Sequence, residues 1–499
     1  MRKINVLFLI VLLFTLFVVS KPNINAAYNY GPNNVVASAE SLVVSKVIDA
    51  SNLQDEDGHK ALNGEYEFGE LYDVATDGKN IYIADGTSNK IVVLDEKYNF
   101  INLFPNEFSL DEEGNILTLS GPRGLYITND EIYVCDYGNN RVVVFDKNYQ
   151  LVKIVSTPND PAFKDYQFRP KKITVNRTGR MFVIAEGINE GIIDFNPDGS
   201  FSRYYGMNSV SVSGWDAFWL LFTSEKQKAS QGYNFGKSLT NLCVDKEEYI
   251  YTVSGANETE NVIKKLNFKG SDVLSRNGYV LQTGDNIQET LENVPTGPSS
   301  FVDIDVNEIG TYIALDKVRG RIFAYDFEGN LLYIGGSIGT VSSSSTSLSG
   351  TFQLPEALCY FKDHILVVDS KNKNLVIFDY TPFGKLINEA TSYYYENDYI
   401  NASLKWQEVL SLNTNYYLAY SGIGKAMLRQ GNYKEAMQNL KLGYDTYNYS
   451  RAYEQYRYEK MSKVFPFIVG AVLVLVVALI IKSVVNNVEY EKKEEEGLE

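Results

Sequence analysis

Pairs of short apolar runs, rich in β-branched and aromatic residues and split by a polar turn, recur along most of this chain. The clearest pair is Ile132 to Asp136 (IYVCD) and Arg141 to Asp146 (RVVVFD), joined by Tyr137 to Asn140. Related pairs run from Ile81 to Asp95, Met181 to Asn196, Ile250 to Asn267, Tyr312 to Asp326 and Ile365 to Asp379. Such runs are what strands packed between neighbouring sheets require. A strand–turn–strand unit that returns every ~50 to 70 residues is the mark of a propeller blade. The pattern therefore predicts a mainly β chain with a six-bladed propeller over residues 35–386. The run Leu42 to Ile48 precedes the first pair and is expected to complete the last blade, which would close the ring and leave no exposed sheet edge.

The turn after Asp136 has its own logic. Gly138 accepts positive φ without strain, Asn139 and Asn140 tolerate it, and the Asp136 carboxylate can take backbone N–H groups. The order Asp136, Gly138, Asn139, Arg141, Val142 resembles the NHL repeat. The acid persists as Asp85, Asp316 and Asp369, becomes Glu186 in the third copy, and gives way to Ser254-Gly255 in the fourth. Turn capping is accordingly expected of these acids, rather than ligand binding. The resemblance implies that the acid turns share one face with the connections before the first strands, at Pro122–Gly124, Arg169–Lys171, Pro298–Ser300 and Leu354–Glu356. Loops on a rigid scaffold are the default recognition surface, so Arg123, Lys171 and Glu356 are candidate ligand or partner contacts.

Two stretches interrupt the spacing. Ser337 to Gly350 is Ser-rich and predicts a loop. Trp215 to Phe222 is strongly apolar between polar segments, and it is either a helix laid across one face or an exposed contact. Trp215, Phe218 and Trp219 join the candidate contacts on the second alternative.

After Leu386 the period becomes helical. A shift of 34 residues places Asn397-Asp398-Tyr399 on Gly431-Asn432-Tyr433, Ala402 on Ala436 and Trp406 on Leu440, counted along the sequence. Residues 387–448 resemble two tetratricopeptide repeats, whose small residues allow close helix crossing. They are expected to form an α-helical stalk. A juxtamembrane helix follows at 449–463, with Tyr449, Tyr453 and Tyr456 on one face, either capping the repeats or meeting the lipid interface. Val464 to Ile481 carries no charge, and 464–485 is long enough for one transmembrane helix. At the other end Arg2 and Lys3 precede the apolar run Ile4 to Val19, with Ala26 and Ala27 beyond it. Residues 1–27 predict a signal peptide, with an uncleaved anchor as the alternative. Either puts the propeller and repeats outside the cytoplasm and the acidic tail 486–499 inside it.

Charge and chemistry narrow the function. A formal charge of −16 argues against a nucleic-acid partner, because phosphate backbones need clustered cations. Cys135, Cys243 and Cys359 lie in apolar runs and are expected to be buried thiols. His59 and His364 are the sequence's two histidines, too few for the metal-bound histidines on which NHL-like lyases rely. The acidic stretch Asp55 to Gly58 superficially resembles a calcium loop, but Leu53 stands where the first ligand belongs. No His-Glu-x-x-His or phosphate-loop pattern is present. No catalytic residue, metal ligand or cofactor is assigned. The sequence favours a membrane-anchored binding or scaffold protein of bacterial type, whose propeller recognises a protein, peptide or glycan at the cell surface. Similar layouts in Gram-positive bacteria continue into a multi-span Yip1-like domain, which suggests a separate Yip1-like or transporter partner in the membrane. The alternative is a divalent-metal-dependent hydrolase resembling the propeller lactonases, which would need two acids and an Asn to converge in the central channel.

Overall fold

The computed structural model describes residues 27–32, 35–106, 109–111, 113–160, 163–164, 167–188, 191–206, 239–255, 262–285, 298–338 and 351–497. The apolar N-terminal run, together with Trp215, Phe218 and Trp219, lies outside these residues.

Six antiparallel sheets form the blades. Blade one comprises Leu71–Thr76, Ile81–Asp85, Lys90–Leu94 and Phe100–Phe104, and blade two Pro122–Ile127, Glu131–Asp136, Arg141–Asp146 and Leu151–Val155. Blade three comprises Arg169–Val175, Met181–Glu186, Ile192–Phe195 and Phe201–Tyr205. Blade four shows Leu239–Val244, Ile250–Ser254 and Ile263–Leu266 among the described residues, with an isolated bridge from Leu266 to Asp272. Blade five comprises Phe301–Val306, Tyr312–Asp316, Arg321–Tyr325 and Leu331–Gly335. Blade six takes three strands from the end of the domain, Pro355–Phe361, His364–Asp369 and Asn374–Tyr380, and its fourth, Leu42–Ile48, from the beginning. The ring is thus closed as the sequence predicts. The first strand of each blade lies innermost and touches the first strands on either side, in one unbroken circuit.

The second and third strands of blade one are apolar on both faces because both faces are buried. In blade one, Ile81, Ile83, Val92 and Leu94 pack toward blade six, whereas Tyr82, Ala84, Ile91 and Val93 pack toward blade two. The core is therefore a set of slabs between blades, each built from alternate residues of two sheets.

The acid turns knit these slabs to the connections. Asp136 is fully buried and accepts from the Ser120 backbone N–H (2.6 Å), Asn139 Nδ2 (2.9 Å) and Arg141 Nε (2.8 Å). Asp369 takes the N–H groups of Gln353 (2.6 Å), Leu354 (3.1 Å) and Asn372 (3.0 Å). Asp85 and Asp316 do the same for Gly69 and Ser300. One detail differs from expectation: the left-handed residue of the clearest turn is Asn140 (φ 55°), not Gly138. Glycine is required at 138 for space, since a Cβ there would lie 2.3 Å from Ser120 Oγ and 2.7 Å from Ser120 O.

Two compact units divide the chain, 1–392 and 393–499. In the second, α1 (Pro382–Tyr395, which crosses the division) is followed by α2 (Tyr399–Leu412), α3 (Tyr417–Arg429), α4 (Tyr433–Leu442) and α5 (Thr446–Glu496). Ala402 and Trp406 of α2 and their 34-residue counterparts Ala436 and Leu440 of α4 are all buried. A Cβ on Gly424 would strike Leu440 Cγ at 2.6 Å, so α3 and α4 cross where α3 has no side chain. Tyr449 packs on the Ala436, Leu440 and Ala452 cluster, whereas Tyr453 is exposed. The juxtamembrane and apolar segments are not separate elements. Both belong to α5, a single helix that carries a window of mean hydropathy 3.2 and is long and apolar enough to cross a membrane.

Candidate functional site

All six innermost strands carry a β-bulge near the start of the strand. The bulges fall between Leu71 and Asp73, Pro122 and Gly124, Pro170 and Lys172, Leu239 and Asn241, Phe301 and Asp303, and Pro355 and Ala357. The inserted residues are Tyr72, Arg123, Lys171, Thr240, Val302 and Glu356, each half-buried. A bulge leaves one residue unpaired and re-aims its side chain. Here it does so beside the acid turns, because Leu71, Pro122, Phe301 and Pro355 pair with Asp85, Asp136, Asp316 and Asp369. The six residues form the rim of one channel mouth.

Arg123, Lys171 and Glu356 therefore share this rim, but they are not loop residues as the sequence suggests. They sit inside the first strands. Lys171 pairs with Glu186 (2.7 Å) and holds that carboxyl below its usual range, and Glu356 pairs with Lys317 (2.8 Å). The Arg123 guanidinium stands 4.9 Å from the Tyr72 ring centre and 4.0 Å from that of Tyr137.

Below the rim lies a buried polar cluster that sequence reasoning missed. Lys172 Nζ of blade three reaches Asp73 Oδ1 of blade one at 2.7 Å, and Gly124 of blade two supplies no side chain between them. Asp303 of blade five hydrogen-bonds Asn241 of blade four and accepts the Leu358 N–H of blade six (2.6 Å). Asp73 takes the Leu125 N–H (2.7 Å) and Asp305 the Tyr360 N–H (2.8 Å). Each of these carboxyls satisfies the free inner edge of the next blade, so each is a suture between blades as well as a titratable group. Burial pulls Lys172 down, but Asp73 and then Asp303 outweigh it and hold the ammonium above its usual range. Burial pushes Asp303 up to about 8 and Asp305 up to about 6. Aspartates inside a strand pattern were the one available signal, and nothing local shows that residues 73, 172 and 303 meet.

The Asp303 carboxyl carries a pH signature. Its ordinary value is 3.8 and its folded value about 8, so between those limits the folded state holds a proton that the unfolded state gives up. Its contribution to stability is full below that window and is lost as pH rises through about 8. Asp303→Asn is expected to flatten the fall in melting temperature between pH 5 and pH 9. Parallel curves for variant and wild type would sink this reading.

The comparisons bear on the same region. Residues 119–145 match the NHL repeat. The match covers the first three strands of blade two, short of the last residue of the third, with the Asp136 turn included. No curated protein matches the chain. Among solved structures, a structural-genomics protein from Bacteroides thetaiotaomicron VPI-5482 aligns at 13% identity over 70% of this chain and 80% of its own, with a TM-score of 0.42. A virginiamycin B lyase from Staphylococcus aureus aligns at 10% identity over 68% of this chain and 99% of its own (TM-score 0.38), and a streptogramin B lyase at 12% over 68% and 98% (TM-score 0.41). At these identities and scores neither lyase's reaction transfers to this NHL-containing propeller.

Proposed function

We propose that this chain is a membrane-anchored binding protein, with an NHL-type propeller and two tetratricopeptide-like repeats held outside the cytoplasm, and that it recognises its ligand or partner at the bulged rim. The observation that carries this reading is the same bulge in all six innermost strands. It gathers an aromatic ring, both signs of charge and a hydroxyl at one mouth of a rigid ring, which is how a scaffold presents a recognition surface. The apolar part of α5 supplies the anchor, and the N-terminal apolar run supplies export.

The test has two parts. Protease added to intact cells should cleave the propeller, and crosslinking of the full chain should retain envelope components that an Arg123→Ala, Lys171→Ala, Glu356→Ala variant of unchanged melting temperature loses. Identical retention by both proteins sinks the rim assignment.

The hydrolase alternative has one observation in its favour, since Asp73, Asp303 and Asn241 do converge in the channel. The donor set nonetheless suits an ammonium better than a divalent ion. Lys172 already supplies the positive charge at 2.7 Å from Asp73, and no group of three His, Cys, Asp or Glu side chains gathers as a metal site among the described residues. Lactone substrates with added calcium or zinc are expected to show no turnover above buffer.

A further inference from the structure

Two guanidiniums at the rim have no hydrogen-bond acceptor among the described residues. Arg123 and Arg169 both stand on Tyr137, at 4.0 and 5.8 Å from the ring centre, and neither hydrogen-bonds a carboxylate or carbonyl among the described residues, although the charge of Arg123 helps to hold the nearby Glu186 carboxyl down. The other described arginines of the propeller all find an oxygen, as Arg141 does on Asp136, Arg180 on Asp194 and Arg321 on the Gly336 carbonyl. Beside them Lys171 spends its charge on Glu186. One corner of the mouth, between blades two and three, thus gathers three positive charges around the one carboxylate of Glu186, an excess of two, in a chain whose formal charge is −16. Like charges so placed repel unless an anion joins them. An arginine held by an aromatic ring also keeps its planar fork of N–H donors fixed and unspent, which favours a planar or tetrahedral oxyanion.

We infer that Arg123 and Arg169, braced on Tyr137, form an oxyanion site that receives a carboxylate or phosphate group of the ligand. The inference rests on the rim reading above and gives it a chemistry: Tyr72 and Tyr137 fix the donors, and the ligand's acid group supplies the missing acceptors. Position matters as much as charge. Arg123 projects from the bulge and Arg169 opens the neighbouring innermost strand opposite Glu186, so the two approach one ligand group from two blades.

The experiment is calorimetric titration of the full chain in detergent with succinate and, separately, with inorganic phosphate, against chloride at equal ionic strength. One saturable event is expected with succinate, phosphate or both, and the anion that binds identifies the acid group. Arg123→Gln and Arg169→Gln should each weaken it about tenfold or more, the loss expected for hydrogen bonds to a charged group. Arg177→Gln, an exposed arginine that already has Glu248, should leave it unchanged. Melting temperatures close to wild type show that the variants are folded. No saturable binding of either anion by the wild type, or equal binding by the Arg123 and Arg169 variants, overturns the site. If the rim variant still loses its crosslinked components while neither anion binds, recognition at the rim stands and the oxyanion assignment alone falls.

Discussion

Asp136→Ala is expected to cost roughly 3–5 kcal/mol of propeller stability, the range for removing one partner of a buried ion pair. The carboxylate is fully buried and has three donors: the Ser120 N–H, Asn139 and Arg141. Alanine would strand all three at once. The damage would also spread along the chain, because Ser120 lies in the connection from blade one, and losing its bond frees the entry to the innermost strand of blade two. Asp136→Asn keeps one acceptor oxygen and should fall between alanine and wild type. Denaturant unfolding monitored by far-UV circular dichroism measures the difference. A loss below ~1 kcal/mol, the value of an ordinary exposed pair, would show that the turn does not depend on this acid.

Lys172→Met should be comparably costly, and its cost should depend on pH. The methionine fills similar space but leaves the Asp73 carboxylate buried without its cation at 2.7 Å, again a loss of roughly 3–5 kcal/mol at pH 8. Burial already pushes Asp73 above its ordinary value despite Lys172. Without the lysine it rises further, so the variant's folded state favours the protonated acid. Stability should recover on going to pH 5, where that proton is held, and fall as pH rises. Adding Asp73→Asn removes the orphaned charge and should restore most of the loss. If the double variant melts no higher than the single one, Lys172 acts by packing rather than by charge.

The fold was largely legible because its determinants are local. Alternating strands, a Gly-Asn turn and a spare strand at Leu42–Ile48 all stand in the order of the residues, and so does the 34-residue shift that predicts Ala402 and Ala436 at buried positions. The acceptor role of Asp136 was legible for the same reason, since most of its donors lie within five residues. The rim was legible only in part. Arg123, Lys171 and Glu356 stand out as polar members of the segments before the first strands, but the sequence alone reads them as loop residues because a bulge is a property of two strands in register, which one strand's sequence does not display. Arg169 reads in the sequence as part of a connection, and that it hydrogen-bonds no carboxylate or carbonyl among the described residues is visible only in three dimensions. The channel cluster was not legible at all, because its members come from blades one, three, four and five and meet only when the ring is complete.

The strand that closes the ring has a consequence for timing. Leu42–Ile48 is made among the earliest residues of the propeller, and its partner Asn374–Tyr380 among the last. Until the sixth blade is available, the early strand has no ladder to join, and the five finished blades end in two uncovered apolar faces. Contacts this far apart in sequence slow folding and leave such faces free to associate with other chains. A chain stopped at any point before Tyr380 should therefore be protease-sensitive throughout rather than lacking one blade, and release of the last strand should be the event that commits the whole ring.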